Sequence, residues 1–85
     1  MDLRQLEIFV KVAELKSFSK AAQALRLTQP TISEHIRTLE QELGVRLLDR
    51  LGRGAEATRA GQLLLSHATR MLQLQRACGG MHDVL

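Results

Sequence analysis

The chain has 85 residues and a formal net charge of +3, which limits it to one domain with a small core and a modestly basic surface. Two phenylalanines are the only aromatic residues, so the core must be aliphatic, which favours packed helices over a sheet sandwich. The single cysteine excludes an internal disulfide, and no apolar run is long enough for a signal peptide or a membrane span, so we expect a cytoplasmic protein.

The basic residues are concentrated in the middle of the chain. Eight of the twelve lie between positions 16 and 61: Lys16, Lys20, Arg26, Arg37, Arg46, Arg50, Arg53 and Arg59. This distribution is compatible with a polyanionic partner such as nucleic acid. The alternative is a solvated surface crossed by salt bridges.

The first element is predicted by apolar residues that recur at steps of three and four. These are Leu3, Leu6, Phe9 or Val10, and Ala13. The spacing predicts one amphipathic helix of about a dozen residues. Ser17 or Ser19 can then cap a short second helix, in which Ala21 and Ala22 are small enough to let a neighbouring helix approach closely.

A third helix is predicted between two local signals. Thr28 is the expected cap with Pro30 in the first turn, and Gly44 is the expected left-handed end. The inward stripe consists of Ile32, Ile36, Leu39 and Leu43. Two short helices joined by a tight turn make a helix-turn-helix pattern.

The outer face of the third helix carries hydrogen-bonding side chains. Opposite the buried stripe lie Pro30, Ser33, Glu34, Arg37 and Gln41. Thr31 and Thr38 lie on the shoulder, and Gln29 and His35 nearer the buried boundary. Short polar residues let a helix backbone approach base edges in the major groove, and glutamine can pair with adenine. The alternative is an ordinary wet surface, on which Thr28 and Gln29 only cap the helix.

The rest of the chain predicts a hairpin and a long helix. Residues 45–58 suit a two-stranded hairpin with Gly52 and Gly54 at its basic tip, although its second arm is weak strand material. Thr58 can cap a last helix that we expect to end at Gly79 and Gly80. Its apolar residues cover more of the circumference than one small core needs. They are Leu63, Leu64, Ala68, Met71, Leu72 and Cys78, with Gln75 among them.

The ordered set of these features resembles the N-terminal winged helix-turn-helix domain of LysR-type transcriptional regulators, over about residues 3–71. The matching pattern reads "L..F..V.....F..AA..L..TQP..S..I..LE.ELG..L..R..R......T.AG..LL". The resemblance implies a mainly α fold, with a three-helix core and a short β-hairpin wing in residues 1–58. A dimerisation linker helix follows in residues 59–80, and residues 81–85 form a frayed tail.

The same resemblance implies how the domain is used. The recognition helix, residues 29–43, enters the major groove, and the wing, residues 45–58, reaches toward the minor groove. Two subunits pair through the last helix and bind a partly symmetric operator in double-stranded DNA as a homodimer, with higher oligomers allowed. Members of the family continue into a ligand-sensing domain, so a small-molecule inducer is expected only for a full-length form. The chain is then an excised domain or a natural short form.

The expected DNA-binding residues come from the resemblance and from charge. Gln29, Pro30 and Ser33 match the family's base- and backbone-contacting turn, and Arg53 matches its wing arginine. Thr28 and Thr31 fit the phosphate-facing start of the helix. Phosphate contacts are added on charge alone at Lys20, Arg37 and Arg50.

Glu34 and His35 depart from the family, which often has Arg or Lys followed by Gln at these positions. Glu34 cannot pair with phosphate or guanine, but it can accept from cytosine N4. Alternatively it faces solvent or pairs with Arg37.

Catalysis is not expected, because the sequence offers no paired carboxylates, no activated nucleophile and no phosphate-binding glycine loop. Cys78 and His82 have metal-ligand spacing, but the predicted helix end at Gly79 and Gly80 separates them, so no metal or other cofactor is expected. The alternative function is a protein-interaction module that uses the broad apolar surface of the last helix and contacts DNA only incidentally.

Overall fold

The computed structural model describes residues 1–52 and 54–84, with side chains described except at Leu51 and at residues 78–84. It contains four helices and one hairpin within those ranges. In chain order the elements are α1 (Leu3–Leu15), α2 (Phe18–Leu25), α3 (Gln29–Leu43), β1 (Leu48–Leu51), β2 (Gly54–Ala57) and α4 (Arg59–Val84). The predicted mainly α fold, a winged helix-turn-helix followed by a long helix, is confirmed.

The first three helices begin and end at local signals. Asp2 begins α1 in a capping box, a signal that the sequence analysis did not use. Ser17, and not Ser19, caps α2 by accepting from the backbone N–H of Lys20 at 3.1 Å. Thr28 caps α3, and Gly44 ends it with φ at 71°, as predicted.

Helix α1 is the centre of the domain, because it contacts α2, α3, α4 and β2. Ile8 and Val12, which lie between the predicted stripe residues, are completely buried. Leu3 from the predicted stripe is instead 39% exposed. A helix surrounded by four elements buries most of its circumference, so a single stripe underestimates its core contribution.

The inward stripe of α3 is confirmed for Ile32, Ile36 and Leu39, which are all buried. It is wrong for Leu43, which is 40% exposed. The reason is that the buried cluster extends along α3 only as far as Leu39, so the final turn projects beyond the core.

The hairpin is fixed to the core through a residue of each strand. Strands β1 and β2 pair antiparallel, with Leu48 opposite Ala57. Leu48 and Ala55 are buried, and the N–H of Ala55 donates to the carbonyl of Lys16 at 3.0 Å. These contacts explain why a segment with weak strand propensity pairs here, since tertiary context outweighs intrinsic preference.

Helix α4 starts in close contact with the residues that precede the hairpin. The Thr58 hydroxyl accepts from the N–H of Gly61 at 3.0 Å and donates to the Arg46 carbonyl at 2.6 Å. A Cβ atom on Gly61 would lie 2.1 Å from the carbonyl oxygen of Leu47. Only glycine therefore allows α4 to pack this close to Leu47.

The predicted end of α4 at Gly79 and Gly80, with a separate tail from residue 81, is wrong, because the helix continues to Val84. A glycine inside a helix costs only about 1 kcal/mol relative to alanine, so two glycines do not have to end it. A helix end therefore does not separate Cys78 from His82. The side chains of both residues lie outside the described ones. Over the described residues, no helix combines the length and apolar character needed to cross a bilayer.

Candidate nucleic-acid interface

The outer face of α3 is exposed as its periodicity predicts, except at Ser33, which is half-buried. The exposed residues on this face are Gln29, Pro30, Glu34, Arg37 and Gln41. Thr31, Thr38 and His35 are half-buried, which agrees with their predicted places on the shoulder and boundary. Gln29 was predicted nearer the buried boundary and is instead exposed, because it is the first residue of the helix and has no covering turn before it.

The start of α3 is ordered by two threonines. The Thr28 hydroxyl accepts from the N–H of Thr31 at 3.3 Å, and the two hydroxyl oxygens are 2.8 Å apart. Both threonines therefore stabilise the first turn. Pro30 has no N–H and the Thr31 N–H is already bonded, so it is mainly the positive end of the helix dipole that favours an anion at this point.

A basic groove of about 440 Å³ runs between α3 and the hairpin. We use "basic groove" for this surface, in which three arginines outnumber one carboxylate. It is lined by Phe18, Ser33, Ile36, Arg37, Glu40, Arg46, Leu48 and Arg50. Lys20 is exposed on α2 and is not among the groove residues. The predicted wing arginine, Arg53, lies outside the described residues.

Three of the predicted phosphate-binding cations have no carboxylate partner among the residues that the structure describes. Arg46 lies 4.0 Å from Asp49, and Lys16 lies 3.9 Å from Glu56, so these two are already paired. Lys20, Arg37 and Arg50 have no carboxylate within 4.0 Å among the residues that the structure describes. Their charge is therefore available to an anionic partner.

Arg50, on β1, contacts both helices of the helix-turn-helix. Its guanidinium lies 4.1 Å above the centroid of the Phe18 ring, the first residue of α2. One of its terminal nitrogens donates to the Ser33 hydroxyl of α3 at 2.6 Å. Two predicted site residues, Ser33 and Arg50, are thus brought into direct contact, which charge and periodicity did not indicate.

Glu34 does not form the alternative pair with Arg37, since no cation lies within 4.0 Å of its carboxylate in the described part of the chain. It is exposed and lines a hollow together with Gln5, Thr31, His35 and Thr38. Its oxygens therefore remain open acceptors on the outer face of α3.

Glu40 is a residue of the site that the sequence analysis missed. Its carboxylate accepts from the backbone N–H groups of Leu47 and Leu48, at 2.8 and 3.3 Å. These bonds fix the start of the hairpin to α3. No local pattern indicates such a contact, because the partners are backbone groups seven and eight residues away.

Replacing Glu40 with alanine is expected to lower the free energy of unfolding by about 1–2 kcal/mol, because two partly buried N–H groups lose their acceptor. Urea denaturation measures the change. Gln41→Ala, at the exposed neighbouring position, is the control and should have little effect. Equal midpoints for the two variants would contradict an anchoring role for Glu40.

Helix α4 exposes an apolar stripe on the side away from the core. We define the "α4 stripe" as Leu63, Met71 and Leu74, which are 62%, 44% and 66% exposed. Ala68 and Leu72 on the opposite side are buried. The prediction that the apolar residues of this helix exceed the needs of one core is confirmed.

A family model described as "Bacterial regulatory helix-turn-helix protein, lysR family" matches residues 3–62 of the chain. Three curated relatives agree with it. An uncharacterized HTH-type transcriptional regulator of the ibpB–leuC intergenic region of Azotobacter vinelandii is 53% identical over 87% of the chain. The SDS degradation transcriptional activation protein of a Pseudomonas strain is 50% identical over 89%, and AlsR of Bacillus subtilis is 48% identical over 88%.

The relatives are longer proteins. The chain spans 51% of the Azotobacter regulator, 25% of the Pseudomonas activator and 24% of AlsR. It therefore corresponds to one part of each of them.

Two solved structures are similar to the chain over nearly its whole length. The CbnR DNA-binding domain in complex with DNA is 40% identical, with a TM-score of 0.92, covering 99% of this chain and 97% of that one. The BenM DNA-binding domain with catB site 1 DNA is 38% identical, with a TM-score of 0.94, covering 98% and 92%. The chain therefore belongs to the LysR family of bacterial regulatory helix-turn-helix proteins.

Proposed function

We propose that the chain is the sequence-specific DNA-binding domain of a cytoplasmic bacterial LysR-type regulator, with α3 in the major groove and the hairpin toward the minor groove. The observation that carries the proposal is the exposed polar face of α3 beside a basic groove whose Arg37 and Arg50 have no carboxylate partner in the described ranges. The likeness to two domains solved with DNA supports it.

The residues divide into two roles in this proposal. The exposed α3 residues Gln29, Pro30 and Glu34 face the base edges, where Glu34 accepts from cytosine N4. Thr28 and Thr31 place the first turn of α3 against a phosphate. The cations proposed to contact phosphates are Lys20, Arg37, Arg50 and Arg53.

The α4 stripe is proposed to be the dimer interface. Because it is apolar and exposed in a single copy, burying it against the same stripe of a second copy removes it from water. Such a pairing has two-fold symmetry and presents two copies of α3 to successive major grooves, which requires an inverted-repeat operator. Further oligomerisation and an inducer belong to a longer form that carries an effector domain.

Binding of the chain to a random-sequence duplex pool and to a duplex selected from that pool, each at 50 and 200 mM salt, tests the proposal. The four cations named above make eight in a dimer, which corresponds to a salt slope of roughly −7 and a loss of affinity on the order of 10⁴-fold. Tighter binding of the selected duplex is expected at both concentrations.

The alternative, a protein-interaction module, is favoured by one observation, the exposed α4 stripe. It predicts self-association or partner binding through α4 with no retention of duplex DNA at 50 mM salt. Retention that is neither salt-sensitive nor selective would also contradict a regulator's DNA-binding domain.

Replacing Arg37 with glutamine should weaken binding to the selected and random duplexes by similar factors, because a phosphate contact carries no base information. The salt slope of the dimer should fall by about two, one unit for each protomer. Arg4→Gln, an exposed position on α1 with the same change in charge, is the control and should leave the slope unchanged. A loss confined to the selected duplex would reassign Arg37 to base reading.

A further inference from the structure

The Arg50 guanidinium is held from two sides. The Phe18 ring lies under it at 4.1 Å, and the Ser33 hydroxyl accepts from it at 2.6 Å. Phe18 is buried and belongs to the core, so the surface that supports Arg50 is itself rigid. Arginine suits this position because its planar group stacks on an aromatic face while its remaining N–H donors stay available.

This arrangement places a fixed cation between the two DNA-facing elements. Arg50 lines the basic groove and also a second concavity that reaches Gln29 and Gly52. Its guanidinium has no carboxylate within 4.0 Å among the side chains that the structure describes. The sugar–phosphate backbone is what separates a major groove from the adjoining minor groove, so a phosphodiester is the group that faces this position when α3 and the hairpin occupy those grooves.

The contact also restricts Ser33. Its oxygen accepts from Arg50, which fixes the direction of the side chain while its O–H remains a donor. Ser33 then influences DNA binding mainly by holding the guanidinium of Arg50 in place.

We propose that Arg50 is a pre-positioned phosphate anchor, and that Ser33 and Phe18 are positioning residues that act on DNA through it. This inference rests on the proposed function. A flexible arginine must lose side-chain freedom on binding, whereas a stacked and hydrogen-bonded one has already lost it. Pre-ordering one long side chain is worth a factor of about two to twelve in affinity per protomer.

The inference predicts how Ser33→Ala differs from the loss of a base contact. Ser33→Ala should weaken the selected and the random duplex by the same two- to twelvefold factor per protomer. In an Arg50→Gln background, Ser33→Ala should change affinity less than twofold, because the guanidinium that Ser33 holds is already absent. Arg50→Gln alone should reduce the salt slope by about two, whereas Ser33→Ala, which keeps the charge, should leave the slope nearly unchanged.

The experiment is a double-mutant cycle of Ser33→Ala and Arg50→Gln, measured on the random pool and on a duplex selected from it. Ser33→Thr retains the hydroxyl and should bind both duplexes as tightly as the unsubstituted chain. Phe18→Leu retains an apolar core residue but removes the ring, and it should weaken both duplexes as Ser33→Ala does. Thermal unfolding of each variant confirms that the affinities compare folded proteins.

Additive losses in the cycle, or a Ser33→Ala loss larger on the selected duplex, would overturn the positioning role and make Ser33 a direct base reader. Failure of the unsubstituted chain to bind either duplex would instead remove the proposed function itself. The two failures are thus separated by the first measurement.

Discussion

Replacing Gly61 with alanine is expected to lower the free energy of unfolding by about 3 kcal/mol, because the added methyl group overlaps a backbone atom. The new Cβ would lie 2.1 Å from the carbonyl oxygen of Leu47. That carbonyl cannot move freely, since it accepts from the N–H of Thr58 at 3.0 Å. Relief of the overlap requires α4 to move away from the hairpin, which disrupts the Thr58 cap as well.

Gly44→Ala is the matched control for this prediction. Gly44 has φ at +71°, but a Cβ there meets no atom within 4 Å, so the substitution introduces backbone strain without overlap. Its cost should be about 1 kcal/mol. Urea denaturation of both variants measures the difference, and an equal cost would contradict the close packing of α4 against Leu47.

Replacing Leu63 and Leu74 together with glutamate is expected to convert the proposed dimer to a monomer. Both leucines are more than 60% exposed in the single copy, so the change should cost little folding stability. In a symmetric interface each substitution occurs twice, and four buried negative charges oppose association. Two linked domains bind two half-sites far more tightly than one domain binds one half-site. The affinity for an inverted repeat should therefore fall about 100-fold or more.

The control for this experiment is Gln62→Glu with Gln73→Glu, which adds the same charge at exposed positions on another face of α4. It should remain dimeric and lose affinity only through the added negative charge. Sedimentation gives the oligomeric state, and titration of a single half-site gives the intrinsic affinity of one domain. If the variant with Leu63→Glu and Leu74→Glu remained dimeric, the α4 stripe would not be the interface.

The sequence was informative where the determinant is local. Thr28, Pro30 and Gly44 fix the limits of α3 because capping and left-handed geometry depend on a few adjacent residues. Gly79 and Gly80 do not end α4, because the helix penalty of glycine is modest and the flanking residues continue the helix to Val84. The exposure of Leu43 was missed because periodicity identifies a face but not how far the core extends along it.

The candidate site was predicted as a set of residues but not as an arrangement. Charge alone selected Arg50, and family resemblance selected Ser33, yet their contact depends on how the hairpin folds back over α3. The anchoring role of Glu40 depends on the same folding, because its partners are backbone groups that become neighbours only when the hairpin forms. Such contacts between distant positions have no periodic or compositional signature.

The hairpin is bonded at its start to Glu40 of α3 and at its second strand to the Lys16 carbonyl, and the Thr58 hydroxyl joins its end to its start at Arg46. These bonds hold the base of the hairpin at one distance from α3. We therefore expect the domain to favour duplexes whose groove width already matches that separation. Base pairs that no side chain touches would then affect affinity, through the stiffness and groove dimensions that they give to the double helix.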